Sequence, residues 1–331
     1  MPSVQDPLRD GWAWAEAGEA VAVATVLRTW GSAPSAAGSH MVVSGSGRIS
    51  GAVSGGCVEG AVIQAAQRLL TEGGTERLSF GVADEVAWSV GLACGGQIDI
   101  YVAPLWTETL PALFAAQDRR DILAVAHRLD GGGNAAVILP GDALASAAAE
   151  ALSRDAPVLL PGDEGEIFVE VFNPAPRLVI IGAVRIAQSL VPMARLAGFE
   201  VIVIDPRESF CTAERFPEAR LMLDWPDSAL ATLGLDAATA VVTLTHDPKF
   251  DEPALAEALA SPAFYVGALG SRRTHAGRLL RLAESGVAQA ALARIDAPIG
   301  LDIGAIGPNE IAVSILAGLI AARRRPISCV S

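Results

Sequence analysis

The sequence predicts an α/β protein whose C-terminal part is a doubly wound parallel sheet and whose N-terminal part is a small α/β domain of short strands. Three observations carry this. After Pro174-Ala175-Pro176, short all-apolar runs at residues 178–181, 201–204, 240–244 and 264–266 alternate with helical stretches, as strands buried on both faces of a parallel sheet do. The first run leads into a glycine-bearing turn at Gly182 and a helix, with an acidic residue, Asp205, ending the next run; this is the order of a Rossmann-like unit. The first third of the chain instead spaces short strand-like runs between glycine loops.

Taken in order, residues 21–26 alternate as a strand and enter the turn Gly31-Ser32-Ala33-Pro34. Residues 41–43 and 48–51 flank Ser44-Gly45-Ser46-Gly47 and read as a β-hairpin. Val58, Val62, Ala65, Ala66 and Leu69 recur at helical spacing, so Cys57 falls at or just before a helix start. Residues 78–81 and 98–102 are further strands, with Cys94-Gly95-Gly96 in the loop before the second. These elements make a first domain of residues 1–106. A connecting segment, 107–175, holds a helix, a Gly131-Gly132-Gly133-Asn134 turn and an alanine-rich helix at 142–153. Residues 176–331 form the Rossmann-like domain, closing on a helix at 311–321.

At 331 residues the chain is longer than single cores usually grow, which favours two domains, and an apolar content of 51% fills both. Apolar stretches are interrupted well short of ~18 residues, so no membrane span is expected. The N-terminus lacks the basic and apolar regions of a signal peptide, and a cytoplasmic protein is expected. A net charge of −13 disfavours nonspecific attraction to nucleic acid or anionic membranes. The four cysteines, Cys57, Cys94, Cys211 and Cys329, lack C-x-x-C spacing and read as free thiols rather than a disulfide framework or a zinc ribbon. Lys249 is the single lysine among 24 basic residues, a bias ascribed to base composition.

Several constellations can carry chemistry. Amides around Gly55-Gly56-Cys57 at a helix start can form a nest for an anion or a thiolate; the alternative is a tight turn with Cys57 as a small buried hydrophobe. Glu59 is either part of that site or an acid of the helix's first turn. Cys94, beside Gly95, carries the same duality, and a metal shared by Cys57 and Cys94 lacks a nearby third ligand. In the loop Gly182-Ala183-Val184-Arg185, Val184 stands where a dinucleotide fingerprint needs its second glycine, which disfavours NAD(P); Asp205 can pair instead with Arg207. His246 and Asp247 end a buried strand, where a crevice is expected, as a proton-handling pair or as a structural histidine and a helix cap. Gly270-Ser271-Arg272-Arg273 leaves another strand into a helix and reads as a phosphate cradle or as a pair of solvated arginines with no ligand. The segment Pro298-Ile299-Gly300-Leu301-Asp302-Ile303-Gly304-Ala305 is too apolar for an ordinary surface loop and suits a ligand lid or interlayer packing.

These motifs together resemble the XdhC/CoxI family, accessory proteins of molybdenum hydroxylases such as xanthine and carbon monoxide dehydrogenases. The resemblance rests on Gly31 to Pro34, Ser54-Gly-Gly-Cys-Val-Glu59, Val82 to Glu85 with Trp88, Gly91-Leu-Ala-Cys-Gly-Gly96, Ile204-Asp-Pro-Arg207, Glu214-Arg-Phe-Pro217, Thr243-Leu-Thr-His-Asp-Pro248, Tyr265 to Arg273, Pro298 to Asp302 and Glu310 to Ile315. It implies a homo-oligomeric chaperone, without turnover of its own, that binds molybdenum cofactor, protects it during sulfuration by a cysteine desulfurase and delivers it to an apo molybdenum hydroxylase. Cys57 and Cys94 would be the thiols that contact the pterin dithiolene or molybdenum, with the loops around Gly182, His246 and Gly270 to Arg273 completing the site. Two positions depart from the family: Arg185 stands where a histidine is common, and Gly318 where the last helix commonly has an acid. The competing readings are an NAD(P)-dependent oxidoreductase built on the Rossmann-like domain, and a scaffold that bridges desulfurase and hydroxylase through Trp12, Trp14 or Trp106.

Overall fold

The computed structural model describes residues 6–31, 35–81, 96–129, 134–139, 141–154, 156–162 and 165–324. The chain divides into two compact units, Pro2–Pro174 and Ala175–Ser331.

The first unit is built on a five-stranded antiparallel sheet of β1 (Val21–Trp30), β2 (His40–Ser44), β3 (Ile49–Gly51), β4 (Glu76–Phe80) and β5 (Gln97–Pro104), in the order β3-β2-β1-β5-β4. Central β1 is covered on both faces because every residue from Val21 to Leu27 is buried. Its even positions, Ala22, Ala24 and Val26, pack with helix α2 (Glu59–Glu72) through Val62, Ala65, Ala66 and Leu69. Odd positions Val21 and Val23 face α1 (Pro7–Glu16) and α3 (Leu110–Arg119) on the other side, through Leu8, Leu110 and Leu113. This is the period of two expected of a strand. Asp6 caps α1 by accepting from the Leu8 amide at 3.0 Å, satisfying one of the unpaired donors of a helix start.

Residues 107–175 hold a second, four-stranded antiparallel sheet in the order β7-β6-β9-β8, made of β6 (Leu123–Arg128), β7 (Ala135–Ile138), β8 (Val158–Gly162) and β9 (Gly165–Phe172). The sequence shows the helices here, α3 and α4 (Ala145–Arg154), but not these strands. The β6 run, Leu-Ala-Val-Ala-His-Arg, is rich in helix formers. Strand β8 contains Pro161, which an edge strand tolerates.

Phe168 of β9 joins Leu27 and Tyr101 of the first sheet in one cluster. Beside it lie two buried histidines and one buried carboxylate. His40 Nε2 and His127 Nε2 approach Glu170 Oε2 at 3.3 and 3.4 Å, as ion-pair contacts rather than aligned hydrogen bonds. Phe172 stacks on His40 and the Trp106 ring stands edge-on to His127.

The second unit is the expected doubly wound sheet. Six parallel strands, β10 (Arg177–Ile181), β11 (Glu200–Ile204), β12 (Arg220–Met222), β13 (Thr239–Thr243), β14 (Tyr265–Ala268) and β15 (Ile295–Asp296), lie in the order β12-β11-β10-β13-β14-β15. Leu178, Ile180, Val203 and Val242 point to a layer with α5 (Arg185–Leu196) and α10 (Pro308–Arg323). Val179, Ile181, Ile202 and Val241 point to the opposite layer, with α6 (Pro226–Leu233), α7 (Pro248–Ala260), α8 (Arg272–Glu284) and α9 (Gln289–Leu292). Strand order reverses between β10 and β13, which places a ligand crevice at the carboxyl ends of those strands. Among the described residues no helix is long and apolar enough to cross a membrane.

Gly318 of α10 is set by packing: a Cβ there would lie 3.1 Å from the Gly300 Cα and 3.6 Å from the Tyr265 hydroxyl. Ser314, one turn earlier, donates to the Leu301 carbonyl at 2.5 Å. The helix thus presses on the Gly300 turn, where a larger residue would have to displace backbone. In the segment expected to be a lid or a packed layer, Ile299 is buried while Leu301 and Ile303 are exposed.

Candidate functional site

The Cys57 loop is organised by its neighbour Glu59. The Glu59 carboxylate accepts from the Ser54 amide at 2.8 Å, the Ser54 hydroxyl at 2.6 Å and the Val58 amide at 3.2 Å. Ser54 Oγ in turn accepts from the Gly56 amide at 3.2 Å and lies 3.4 Å from Cys57 Sγ. The amide nest expected for an external anion is therefore partly filled by the loop's own carboxylate. Burial alone would raise the Glu59 carboxyl, but the Ser54 hydroxyl and these amides outweigh it and hold it below the usual range. Gly56, at φ +111°, has a backbone conformation that favours glycine. A Cβ on it would meet nothing within 4 Å, so the loop is open there. Cys57 is half-buried and packs against the α2 core. One side of Cys57 lies in apolar packing, and its sulfur faces the polar, glycine-lined loop.

Glu59→Gln is expected to speed alkylation of Cys57 a few-fold, because a neutral amide cannot accept from three donors as the carboxylate does, and the loop loosens. Peptide-resolved labelling with iodoacetamide reads this directly; an unchanged rate would show that Glu59 does not set the loop. Cys94 and Gly95 lie outside the described residues, so the shared-metal reading does too, and among the described residues no group of three or more His, Cys, Asp or Glu side chains is arranged to hold a metal ion. Cys211 is a packed thiol: it is buried, and its Sγ faces the Val203 carbonyl at 3.8 Å.

In the second unit the candidate residues sit at strand exits around the switch point. Gly182, after β10, adopts φ +108°, and a Cβ there would stand 2.5 Å from Thr245 Cγ2, after β13. Val184 is the N-cap of α5 and makes no side-chain cap, and Arg185 opens that helix exposed. Asp205, 1% exposed, accepts from the Ala183 amide at 2.8 Å, and from the Arg207 amide at 3.0 Å, Nε at 2.8 Å and Nη2 at 2.6 Å. Burial would raise this carboxyl, but the Arg207 guanidinium and the two amides hold it below its ordinary value. The carboxylate that a dinucleotide fold offers to a ribose is here occupied by the chain's own arginine.

His246 takes φ +63°, one of two described non-glycine residues with positive φ, and its side chain is exposed. Such strain is characteristic of functional positions. Asp247 caps α7, accepting from the Lys249 amide at 3.0 Å, so the capping reading of Asp247 holds in the structure. Ser271 caps α8 by accepting from the Thr274 amide at 3.1 Å. Arg272 and Arg273 then begin α8 exposed, in a first turn with no acidic residue, against the dipole preference for negative charge there. Gly270, at φ +142°, precedes them.

A polar pair beneath these loops has no signature in the sequence. Thr245 donates its hydroxyl to Asp251 Oδ1 at 2.7 Å and its amide at 3.3 Å. Arg278 donates to the Leu269 carbonyl at 2.9 Å and lies 3.8 Å from Asp251 Oδ2. Asp251 is 1% exposed and Arg278 3%; burial raises the Asp251 carboxyl and lowers the Arg278 guanidinium. The pair ties the β13 exit to the β14 exit. In sequence, both look like ordinary charges on helices α7 and α8.

A parallel sheet of dinucleotide-binding order, in which the acid that ends the second strand is held by the chain's own arginine, is a variant of the Rossmann fold. The chain belongs to the XdhC and CoxI family. The family's Rossmann domain matches residues 178–319 and its XdhC and CoxI region residues 14–81. The chain is 30% identical to a protein of Escherichia coli named molybdenum cofactor insertion chaperone PaoD, over 92% of this chain and 84% of that protein. It is 29% identical to a Bacillus subtilis protein named as a probable xanthine dehydrogenase subunit, over 93% of this chain and 94% of that protein. A crystal structure of a Bacillus halodurans protein named a xanthine dehydrogenase matches with a TM-score of 0.78 at 25% identity, covering 99% of this chain and 98% of that one.

Proposed function

We propose that the chain is a molybdenum cofactor insertion chaperone: it binds molybdenum cofactor, supports its sulfuration with a cysteine desulfurase, and delivers it to an apo molybdenum hydroxylase, working as a cytoplasmic homo-oligomer. The observation that carries this reading is the 30% identity, across 92% of the chain, to a protein named for that activity. The residues present suit the group. A pterin dithiolene with a phosphate needs soft and anion-accepting donors, and the chain offers the Cys57 thiol on a loop open at Gly56 and two exposed arginines on the α8 N-terminus.

When bound, the cofactor supplies the molybdenum chemistry that the client enzyme uses. The chain's own residues bind and orient it. Cys57, with Cys94, contacts the sulfur-liganded end while Glu59 and Ser54 hold the loop's shape around Gly55 and Gly56. Arg272 and Arg273 with Ser271 and Gly270 take the phosphate, and Arg185, on the α5 start after Gly182, adds a third cation. His246 and Asp247 line the β13 exit, and Asp205 acts through Arg207. The occupied Asp205 and Val184 stand against an NAD(P)-dependent oxidoreductase.

Produced in a host that makes molybdopterin, the purified wild-type protein is expected to release a fluorescent pterin on oxidation. Cys57→Ala is expected to retain several-fold less pterin while unfolding at the same denaturant concentration. No pterin in the wild type, with saturable NADH binding instead, would overturn the proposal.

A further inference from the structure

One aromatic cluster in the second unit surrounds Arg207 and has no part in the thiol loop or the α8 arginines. Arg207 leaves β11 with Nε and Nη2 clamped on Asp205, and its guanidinium lies over the Phe210 ring at 4.2 Å and within 5.6 Å of the Phe250 ring. Phe250, in the first turn of α7, packs against Trp225 with ring centroids 5.3 Å apart. Trp225 follows β12 as the N-cap residue of α6 and makes no side-chain cap. The exits of β11, β12 and β13 therefore contribute to a continuous row, Phe210-Arg207-Phe250-Trp225, on the side of the switch point where the sheet runs through β11 to β12.

This row is exposed where packing would ordinarily hide it. Trp225 is 51% exposed, Phe210 41% and the Arg207 side chain 37%. A guanidinium held flat by a carboxylate has lost much of its rotamer freedom before any ligand arrives, which lowers the cost of binding. Such a surface stacks flat π-systems, since guanidinium planes and aromatic rings are the side chains on which heterocycles are held. The Asp205 carboxylate, with a smaller contribution from Asp247, raises the Arg207 guanidinium above its already high ordinary value. The clamp on Asp205 uses Nε and Nη2, which makes Nη1 the edge on which an anionic substituent of the ring would be received.

We propose that the Phe210-Arg207-Phe250-Trp225 row is a binding site for a planar heteroaromatic ring bearing an anionic group. The choice of a pterin as that ring rests on the function proposed above; the site itself rests on the row. Asp205, which also accepts from the Ala183 amide, sets the plane of Arg207.

Equilibrium dialysis of the full chain against pterin-6-carboxylate, and separately against adenosine 5′-monophosphate, tests it. The expected result is saturable binding of pterin-6-carboxylate, weakened about tenfold in Trp225→Ala and in Phe210→Ala, with thermal midpoints kept because both side chains are exposed. Arg207→Lys, which keeps a charge for Asp205 and loses the flat face, is expected to weaken binding similarly. If the nucleotide binds with this same sensitivity and the pterin does not, the ring site stands and the pterin reading of the chain falls. Affinities unchanged in all three variants, or no saturable binding of either probe, would overturn the site, whatever pterin co-purifies with the chain.

Discussion

Glu170→Ala is expected to cost the first unit about 3–5 kcal/mol of stability, read as a fall in the urea midpoint, because it removes the anion that two buried imidazoles share. His40 and His127 both contact Glu170 Oε2, and the three side chains are each less than 10% exposed. Burial by itself would push the Glu170 carboxyl up, but the two imidazoles hold it down to about 2. Burial would likewise push His40 down, and the Glu170 carboxylate outweighs it and raises it. The signs fix the pH profile. The Glu170 contribution is present above the unfolded carboxyl's value and is lost as pH falls from there toward about 2. The His40 contribution is complete below the unfolded imidazole's value and is lost as pH rises through its raised value in the fold. The cluster's contribution to stability is thus expected to be greatest between about 4.5 and 6.5, and Glu170→Ala to remove that part of the pH profile. A variant with the wild-type midpoint, or with the wild-type pH profile, would show that the cluster is not coupled.

That cluster also marks where the sequence stops being informative. His40, His127 and Glu170 come from three strands, β2, β6 and β9, and nothing local in the chain announces that they meet. The central strands of the parallel sheet were legible because β10, β11 and β13 are buried on both faces and so carry apolar runs of three or four residues. The three-residue β12 and two-residue β15 are too short to show a period. The helix start after Cys57 was legible from the spacing of Val58, Val62, Ala65, Ala66 and Leu69. What Glu59 does there was not, since a carboxylate that turns back to its own loop and one that faces a ligand have the same sequence. Asp205 was readable as a strand-end acid with Arg207 two residues on, whereas the ring contacts of Arg207 to Phe250, and of Phe250 to Trp225, depend on the sheet order that brings the exits of β11, β12 and β13 to one side.

The other large effect is expected at Gly182. Gly182→Ala should lose about 2–5 kcal/mol, from two separable causes. The first is conformational: at φ +108° an L-residue is held outside its favoured regions, which costs about 1–2 kcal/mol. The second is steric, about 1–3 kcal/mol, because the new Cβ falls 2.5 Å from Thr245 Cγ2. Thr245 cannot swing aside cheaply: its hydroxyl donates to Asp251 at 2.7 Å and accepts from the Asp247 amide at 3.0 Å. Rotation about χ1 would leave the buried Asp251 with one donor fewer and free the loop that carries His246. The turn after β10 and the exit of β13 are therefore fitted to each other across the switch point, and the two causes can be told apart by Thr245→Ser, which deletes Cγ2 and keeps the hydroxyl. In the Gly182→Ala background that second change should restore the steric share and leave the conformational one, so the double variant is expected to be more stable than Gly182→Ala alone and less stable than Thr245→Ser alone. Strict additivity of the two substitutions in urea unfolding would mean that Gly182 and Thr245 do not constrain each other, and that the glycine is there for its backbone angle alone.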